Sequence, residues 1–419
     1  MSNRIRTATF WTAFGPGLLW AAAAIGVSHL VQSTRAGADA GFALAGVILL
    51  ALVLKYPFFE YGPRYAAATG ESLVEGYARI GRWALWLYLG ITLSTAAIVQ
   101  GAIVLFTSFL VKTTFGLPWD LPWVAALVVL VCAGVLRVGK FRGLDLATKV
   151  ILTLLTISTI WAAALVAPRA DFSTLALWPP ASAGVPLAFL LALAGWMPSA
   201  IDISVWSSVW TLAKDRDMGT RASVAHAVLD FRVGYIATGV LAFVFLMLGA
   251  GVMYGSGTSF SAAGTQFSLQ LVDLYSATLG AWTRPLVLVA VLTTMFSTAL
   301  TVIDGFPRAI ARSWAVLRSD AIGSGGSDTG PVYWASGAVL GLVTVLIVAF
   351  VASSLTAMVD FATIVSFLTA PILGYLNLRV ILGGNMPAEH RPGKTLIWLS
   401  YAGLVALAST AVVFLVTRL

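Results

Sequence analysis

Residues 15–38 read GPGLLWAAAAIGVSHLVQSTRAGA. The segment is apolar and long enough to cross a bilayer, yet Gly26-Val27-Ser28-His29 interrupts it midway. Residues 185–212 form a second apolar segment, interrupted by Gly195-Trp196-Met197-Pro198-Ser199. Non-helical backbone at membrane depth is tolerated only where protein surrounds it or it lines a cavity. Two broken hydrophobic helices in corresponding halves of a chain point to a solute site near the bilayer midplane. Such a break exposes N–H groups at one half-helix's N-terminus and carbonyls at the other half's C-terminus. The first attract an anionic group, the second a cation.

The bulk composition demands a membrane. The chain has 419 residues, 59% hydrophobic and 10% charged, with a mean hydropathy of +0.93. A soluble domain carries about 25% charged residues. Eleven apolar spans are expected, at 14–34, 41–66, 83–111, 122–137, 145–168, 185–210, 230–254, 283–304, 332–352, 354–380 and 394–417. Each is compatible with crossing ~30 Å of hydrocarbon. The N-terminal MSNRIRTATFW runs straight into the first span, so no cleavable signal is expected. With that end inside, 17 Lys and Arg fall in cytoplasmic segments and 5 in external ones, with Lys55, Lys149 and Arg232 inside spans. The positive-inside rule then sets the orientation, N-terminus cytoplasmic, and the short basic loops fit a bacterial inner membrane. The net charge of +8 is an insertion and lipid-contact signature, and no nucleic-acid partner is needed to explain it.

Organisation along the chain is simple. The breaks open two blocks of five spans with opposite topology, the layout of an inverted repeat. The expected divisions are 1–168, 169–382 and an added C-terminal span within 383–419. A short amphipathic helix is expected in the connection 257–282, and the Gly/Ser-rich stretch 319–331 reads as a linker. Cys132 stands alone, so no internal disulfide forms. No P-loop, nucleophile elbow or zinc-protease motif occurs. Neither enzymatic chemistry nor a cofactor is expected, and the working unit is read as a monomer.

The first span resembles that of the Nramp metal transporters, which opens with Gly-Pro, breaks at Asp-Pro-Gly-Asn and ends near Ala-Gly-Ala. Gly15-Pro16 and Ala36-Gly37-Ala38 keep the frame, with Gly26 at the family's aspartate and His29 at its asparagine. Span six resembles the family's Ala-x-x-Met-Pro-His-Asn, with Ala194, Met197 and Pro198 matching and Ser199 and Ala200 replacing the last two. The likeness implies an eleven-span, leucine-transporter-like inverted repeat and a divalent cation held between spans one and six. Of the ligands it implies, the Ala194 carbonyl and Met197 sulfur remain, with His29 as a substitute. The carboxylates that the family uses for protons on span three are missing from LSTAAIVQGAIV. A dication needs an anionic ligand to offset its lost hydration, and Gly26 offers none. Two substrate classes therefore stand: a small cation, by family default a divalent metal, or a small neutral or zwitterionic organic solute.

The residues expected to touch the solute are Gly26, Ser28, His29, Ala194, Trp196, Met197 and Ser199. His29 has three readings: ligand, proton-linked switch, or neutral ring bonded to a serine. Met197 reads as packing or as ligand, and Trp196 as space filler or pocket wall. For ion coupling, Ser297 and Thr298 supply hydroxyls on span eight, and Asp202 and Glu60 supply carboxylates. Intramembrane charges find partners. Lys55 is expected to pair with Glu60 or Asp202, and Asp304 with Arg308 four residues on.

Overall fold

The computed structural model describes residues 15–257, 259–261, 263–318, 329–350 and 354–418. Arg4, Arg6 and the linker stretch 319–328 lie outside them, as do the side chains of Lys140, Arg142, Lys149 and Arg169. Every regular element among the described residues is helical. Hydrocarbon offers no hydrogen bonds, so a spanning backbone must satisfy its own polar groups within helices.

Span one is two half-helices, α1 (Pro16–Ala24) and α2 (Thr34–Ala40), joined through a π-helical turn at Ser28–Ser33. There follow α3 (Ala45–Thr69), a short α4 (Leu73–Ile80), α5 (Arg82–Phe115) and α6 (Leu121–Val166). Span six is again split, into α7 (Leu187–Gly195) and α8 (Ile203–Met218). The remainder is α9 (Val224–Val252), α10 (Gly264–Leu279), α11 (Arg284–Arg318), α12 (Pro331–Phe350), α13 (Leu355–Ile381) and α14 (Lys394–Arg418). Among the described residues eight helices are long and apolar enough to cross a membrane, and the chain is an integral membrane protein. The two broken spans fall outside that set because α1 and α7, at 9 residues each, reach only about half of a ~30 Å core.

Two expectations on connections differ from the structure. The spans placed at 122–137 and 145–168 share one uninterrupted 46-residue helix, α6. No proline stands between Leu136 and Val166 to stop it, and the intervening glycines alone do not break the backbone. Conversely, α4 was not expected, although its start carries a capping box: Ser72 accepts from Val74 N and Glu75 reaches back to Ser72 N at 2.9 Å. The amphipathic helix expected near 257–282 is α10, which buries Phe267, Leu271, Leu274 and Tyr275.

Both halves of span one lie against α9, and small residues set the approach. A Cβ on Gly17 would stand 2.2 Å from Asp230 O, and one on Gly234 would stand 2.3 Å from Gly17 O. Further along, a Cβ on Gly37 would meet Leu246 O at 2.0 Å and one on Gly249 would meet Thr34 O at 2.0 Å. Glycine pairs are how membrane helices bring their backbones together. Asp230 completes the contact by accepting from Gly17 N at 2.8 Å, capping the exposed amides of α1. Trp20 fills the space between, edge-on to Phe59 and Phe231 at 5.3 Å each. Span six is seated the same way: Gly195 lies under Thr363 O of α13, and Gly62 of α3 lies under Ser204 O of α8.

The crossings yield a direct test. Gly249→Ala forces a methyl into Thr34 O, and overpacking of this kind costs about 1–3 kcal/mol. Gly90→Ala, which meets nothing within 4 Å, leaves stability unchanged or raised. Thermal unfolding of the two variants in detergent should separate them in that order.

Candidate functional site

The site is built from the two breaks. α1 loses its helical path at Ile25 (φ −82°, ψ 83°), and the backbone resumes with Leu30 N bonding Gly26 O at 2.8 Å. Carbonyls that lose a helical donor must find another. Thr298 of α11 supplies one hydroxyl, 3.0 Å from Ala22 O and 3.2 Å from Ile25 O. Ser28 Oγ takes Ala24 O at 2.5 Å. In break two, residues 196–202, Lys55 of α3 donates to Ala194 O at 3.1 Å, Gly195 O at 2.9 Å and Ser199 O at 2.7 Å. Trp196 Nε1 donates to Ser366 Oγ at 2.9 Å.

Between the breaks lies a cavity of about 30 Å³, room for a water molecule or two. Its walls include Ser28, Trp196, Ser199, Asp202, Trp206 and Thr298. Asp202 carries the cavity's charge. Its side chain is buried, and Oδ2 has no hydrogen-bond partner. It stands at the N-terminal end of α8, where the aligned peptide dipoles favour an anion.

Four of the seven residues expected at the solute site come together here or frame it: Ser28, Trp196 and Ser199 line the cavity, and Ala194 presents its carbonyl to Lys55. The others are placed differently. His29 is fully buried with its ring turned to α9: Nε2 lies 2.9 Å from Thr238 O and Nδ1 lies 2.6 Å from Ser28 Oγ. Both nitrogens are engaged, so the imidazole offers no free lone pair to a metal. Met197 is buried away from the cavity wall. Gly26 carries no side-chain ligand and sits against Thr298, where a Cβ would come within 2.5 Å of the hydroxyl. Among the described residues no three His, Cys, Asp or Glu side chains gather in a way that could hold a metal.

The coupling candidates also divide. Thr298 faces the break-one carbonyls, and Ser297 Oγ beside it is buried with no partner. Glu60 lies elsewhere, bonded by Arg64 at 2.6 Å, by Arg232 at 3.2 Å and by the Tyr56 hydroxyl. Lys55 therefore pairs with neither Glu60 nor Asp202, as the sequence suggested, because break two presents three carbonyls within its reach. Asp304 does bind Arg308, at 2.7 Å, and accepts from Trp210 and Tyr333 as well. At the α2 end of the bundle, Arg35 pairs with Asp360 at 2.8 Å, and Gln32 joins them at 2.9 Å.

This order of helices with two broken members is a leucine-transporter-like fold. The manganese transporter of Eremococcus coleocola superposes with a TM-score of 0.75 at 17% identity, covering 96% of this chain and 87% of that one. A nucleobase-cation-symport-1 family transporter with bromovinylhydantoin bound gives 0.59 at 13%, covering 95% and 91%. In sequence, an uncharacterized protein of Pasteurella multocida (strain Pm70) is 35% identical over 414 residues, 97% of this chain and 92% of that protein. The chain belongs to one family with it. Metal transporter Nramp6.2 of Populus trichocarpa is 29% identical over 137 residues, 32% of this chain and 24% of that protein. No family model matches.

Restoring an aspartate in break one is not a local change. Gly26→Asp would drive its Cβ into Thr298, 2.5 Å from Oγ1 and 2.7 Å from Cγ2. The variant should lose thermal stability, and the double variant Gly26→Asp with Thr298→Ala should recover part of the loss. Additive effects in that cycle would mean the two residues do not meet.

Proposed function

We propose that the chain is a secondary transporter that moves a small cation by alternating access, with its site between the breaks of spans one and six. The observation that carries this reading is Asp202: a buried carboxylate with an unpartnered oxygen, lining the cavity where the breaks meet. A buried polar group left unpaired is costly, and a bound cation would supply the missing partner. The surrounding donors are oxygens, from Ser28, Ser199 and Thr298, a set that suits hard ions such as Mn²⁺, Mg²⁺ or Na⁺ better than Zn²⁺ or Cu⁺. The likeness in fold to a manganese transporter makes Mn²⁺ the first ion to try. Met197 and His29 take no part as ligands.

Alternating access here would be rocking of one five-span repeat (1–168) against the other (169–382), with 383–419 as an added span. Arg35–Asp360 would open on one side of the site. Ser297, whose hydroxyl is unpartnered, would take part if sodium drives transport. The basic loops support an inner-membrane location with the N-terminus inside, and the chain would act as a monomer.

A second reading, a small neutral or zwitterionic organic solute, is favoured by two observations. Lys55 stands within electrostatic range of Asp202, so the site is close to neutral overall. Trp196, Trp206 and Phe306 give it broad apolar walls.

Uptake into proteoliposomes separates the two. On the cation reading, the wild-type chain accumulates ⁵⁴Mn²⁺ and Asp202→Asn lowers the rate at least about tenfold, the cost of one charged partner. Failure of folded wild-type protein to take up Mn²⁺, Mg²⁺ or Na⁺, together with uptake of amino acids, would establish the organic solute instead.

A further inference from the structure

Break two already holds a cation. α7 ends at Gly195, and the carbonyls of its last turn point past the helix end, where Ala194 O also takes a backbone N–H from Met197 at 3.4 Å. Ala194 O, Gly195 O and Ser199 O converge on a single point, 3.1, 2.9 and 2.7 Å from it. Such a convergence at the negative end of a half-helix is a cation site made of backbone alone. The point is occupied by Nζ of Lys55, which reaches in from α3 and is 1% exposed. The face of Phe59 lies alongside, 5.7 Å from Nζ to the ring centroid.

The proton count fixes the form of the side chain. Three carbonyls accept, and only the ammonium carries three N–H donors; a neutral amine carries two and would turn a lone pair toward an oxygen. No carboxylate hydrogen-bonds Nζ among the described residues. The hydrogen bonds to Nζ thus go to peptide carbonyls alone, as a free ion's contacts would, with Asp202 acting on it only through space.

We propose that Lys55 is a tethered cation: its ammonium fills a carbonyl cation site in break two, excludes free ions from it, and fastens α3 to the break. The ligand class of the vacated site follows from the one that fills it. It takes a monovalent cation the size of an alkylammonium head, or a hydrated-shell-free Na⁺ or K⁺, held by neutral oxygens. A consequence is that the Ala194 carbonyl is withdrawn from any transported cation, which leaves Asp202 as the charge such a cation would meet. The occupancy of break two itself stands on the three hydrogen bonds and is independent of what the protein transports.

The test is a stability measurement on Lys55→Ala, which empties the site and leaves a channel the width of a lysine stem. Thermal unfolding in detergent is followed in N-methylglucamine, Na⁺, K⁺ and n-butylammonium chlorides at equal ionic strength. The expected result is a lowered Tm in N-methylglucamine, recovered by several degrees with n-butylammonium, Na⁺ or K⁺, while the wild type responds to none. Lys55→Met, which refills the volume without charge, should be destabilised and insensitive to all four. If Lys55→Ala cannot be purified in N-methylglucamine, purification is repeated throughout in n-butylammonium, and monodisperse protein in that salt alone meets the expectation. A Lys55→Ala protein as stable as the wild type overturns the proposal. So does one that no cation improves, or whose yield fails equally in every salt.

Discussion

Hydrocarbon accepts no unsatisfied peptide group, and that constraint shapes this molecule more than any single contact. A helix that runs unbroken across the bilayer meets it automatically. A helix that breaks midway exposes amides and carbonyls where no water is at hand, and each must be met by a side chain brought from another element. Break one is closed by Thr298 from α11 and by its own Ser28. Break two is closed by Lys55 from α3 and anchored by Trp196 on Ser366 of α13. Several polar residues in the membrane interior thus serve the two interruptions, while others such as Glu60 and Asp304 form clusters of their own, and the cavity lies where the interruptions face each other.

The same constraint explains what could be read from the chain. The interruptions themselves were legible at Gly26 and at Trp196–Ser199, because glycine, proline and small polar residues stand out in an otherwise unbroken apolar run. The long apolar helices were legible by length, and α10 by its amphipathic pattern. The identity of the partners was not. Lys55 has a carboxylate five residues away in Glu60, and local sequence suggests an ion pair. The structure sends Glu60 to Arg64 and Arg232 and sends Lys55 to three carbonyls some 140 residues distant in sequence. Nothing local encodes a main-chain acceptor. The direction of the His29 ring was hidden for the same reason, since it depends on Thr238 O of α9. Helix α4 is a different case: Ser72 and Glu75 spell a capping box in plain sequence, lost because its eight residues fall below the length that draws attention in a membrane chain.

Charge placement separates this site from the one that its sequence resemblance implies. In that pattern the anionic ligand stands in break one, and a backbone carbonyl of span six completes the shell. Here break one carries glycine, packed so tightly on Thr298 that a side chain has no room. The carboxylate is found instead at the start of α8 as Asp202, and the span-six carbonyls are held by an ammonium. An anion and a cation stand near each other here, so the local sum of charge stays near zero.

The glycine crossings of span one on α9 carry a mechanical meaning beyond their packing. Gly17 with Gly234, and Gly37 with Gly249, are two fixed points on either side of an interrupted helix. A rod pinned twice to the same strut cannot swing by bending between the pins unless the strut follows. The first half-helix and the second are therefore coupled through α9 even though the covalent path between them is unwound. Whatever displacement one end of span one undergoes is reported to the other through a neighbour, and the gap at Gly26 works as a joint inside a braced frame.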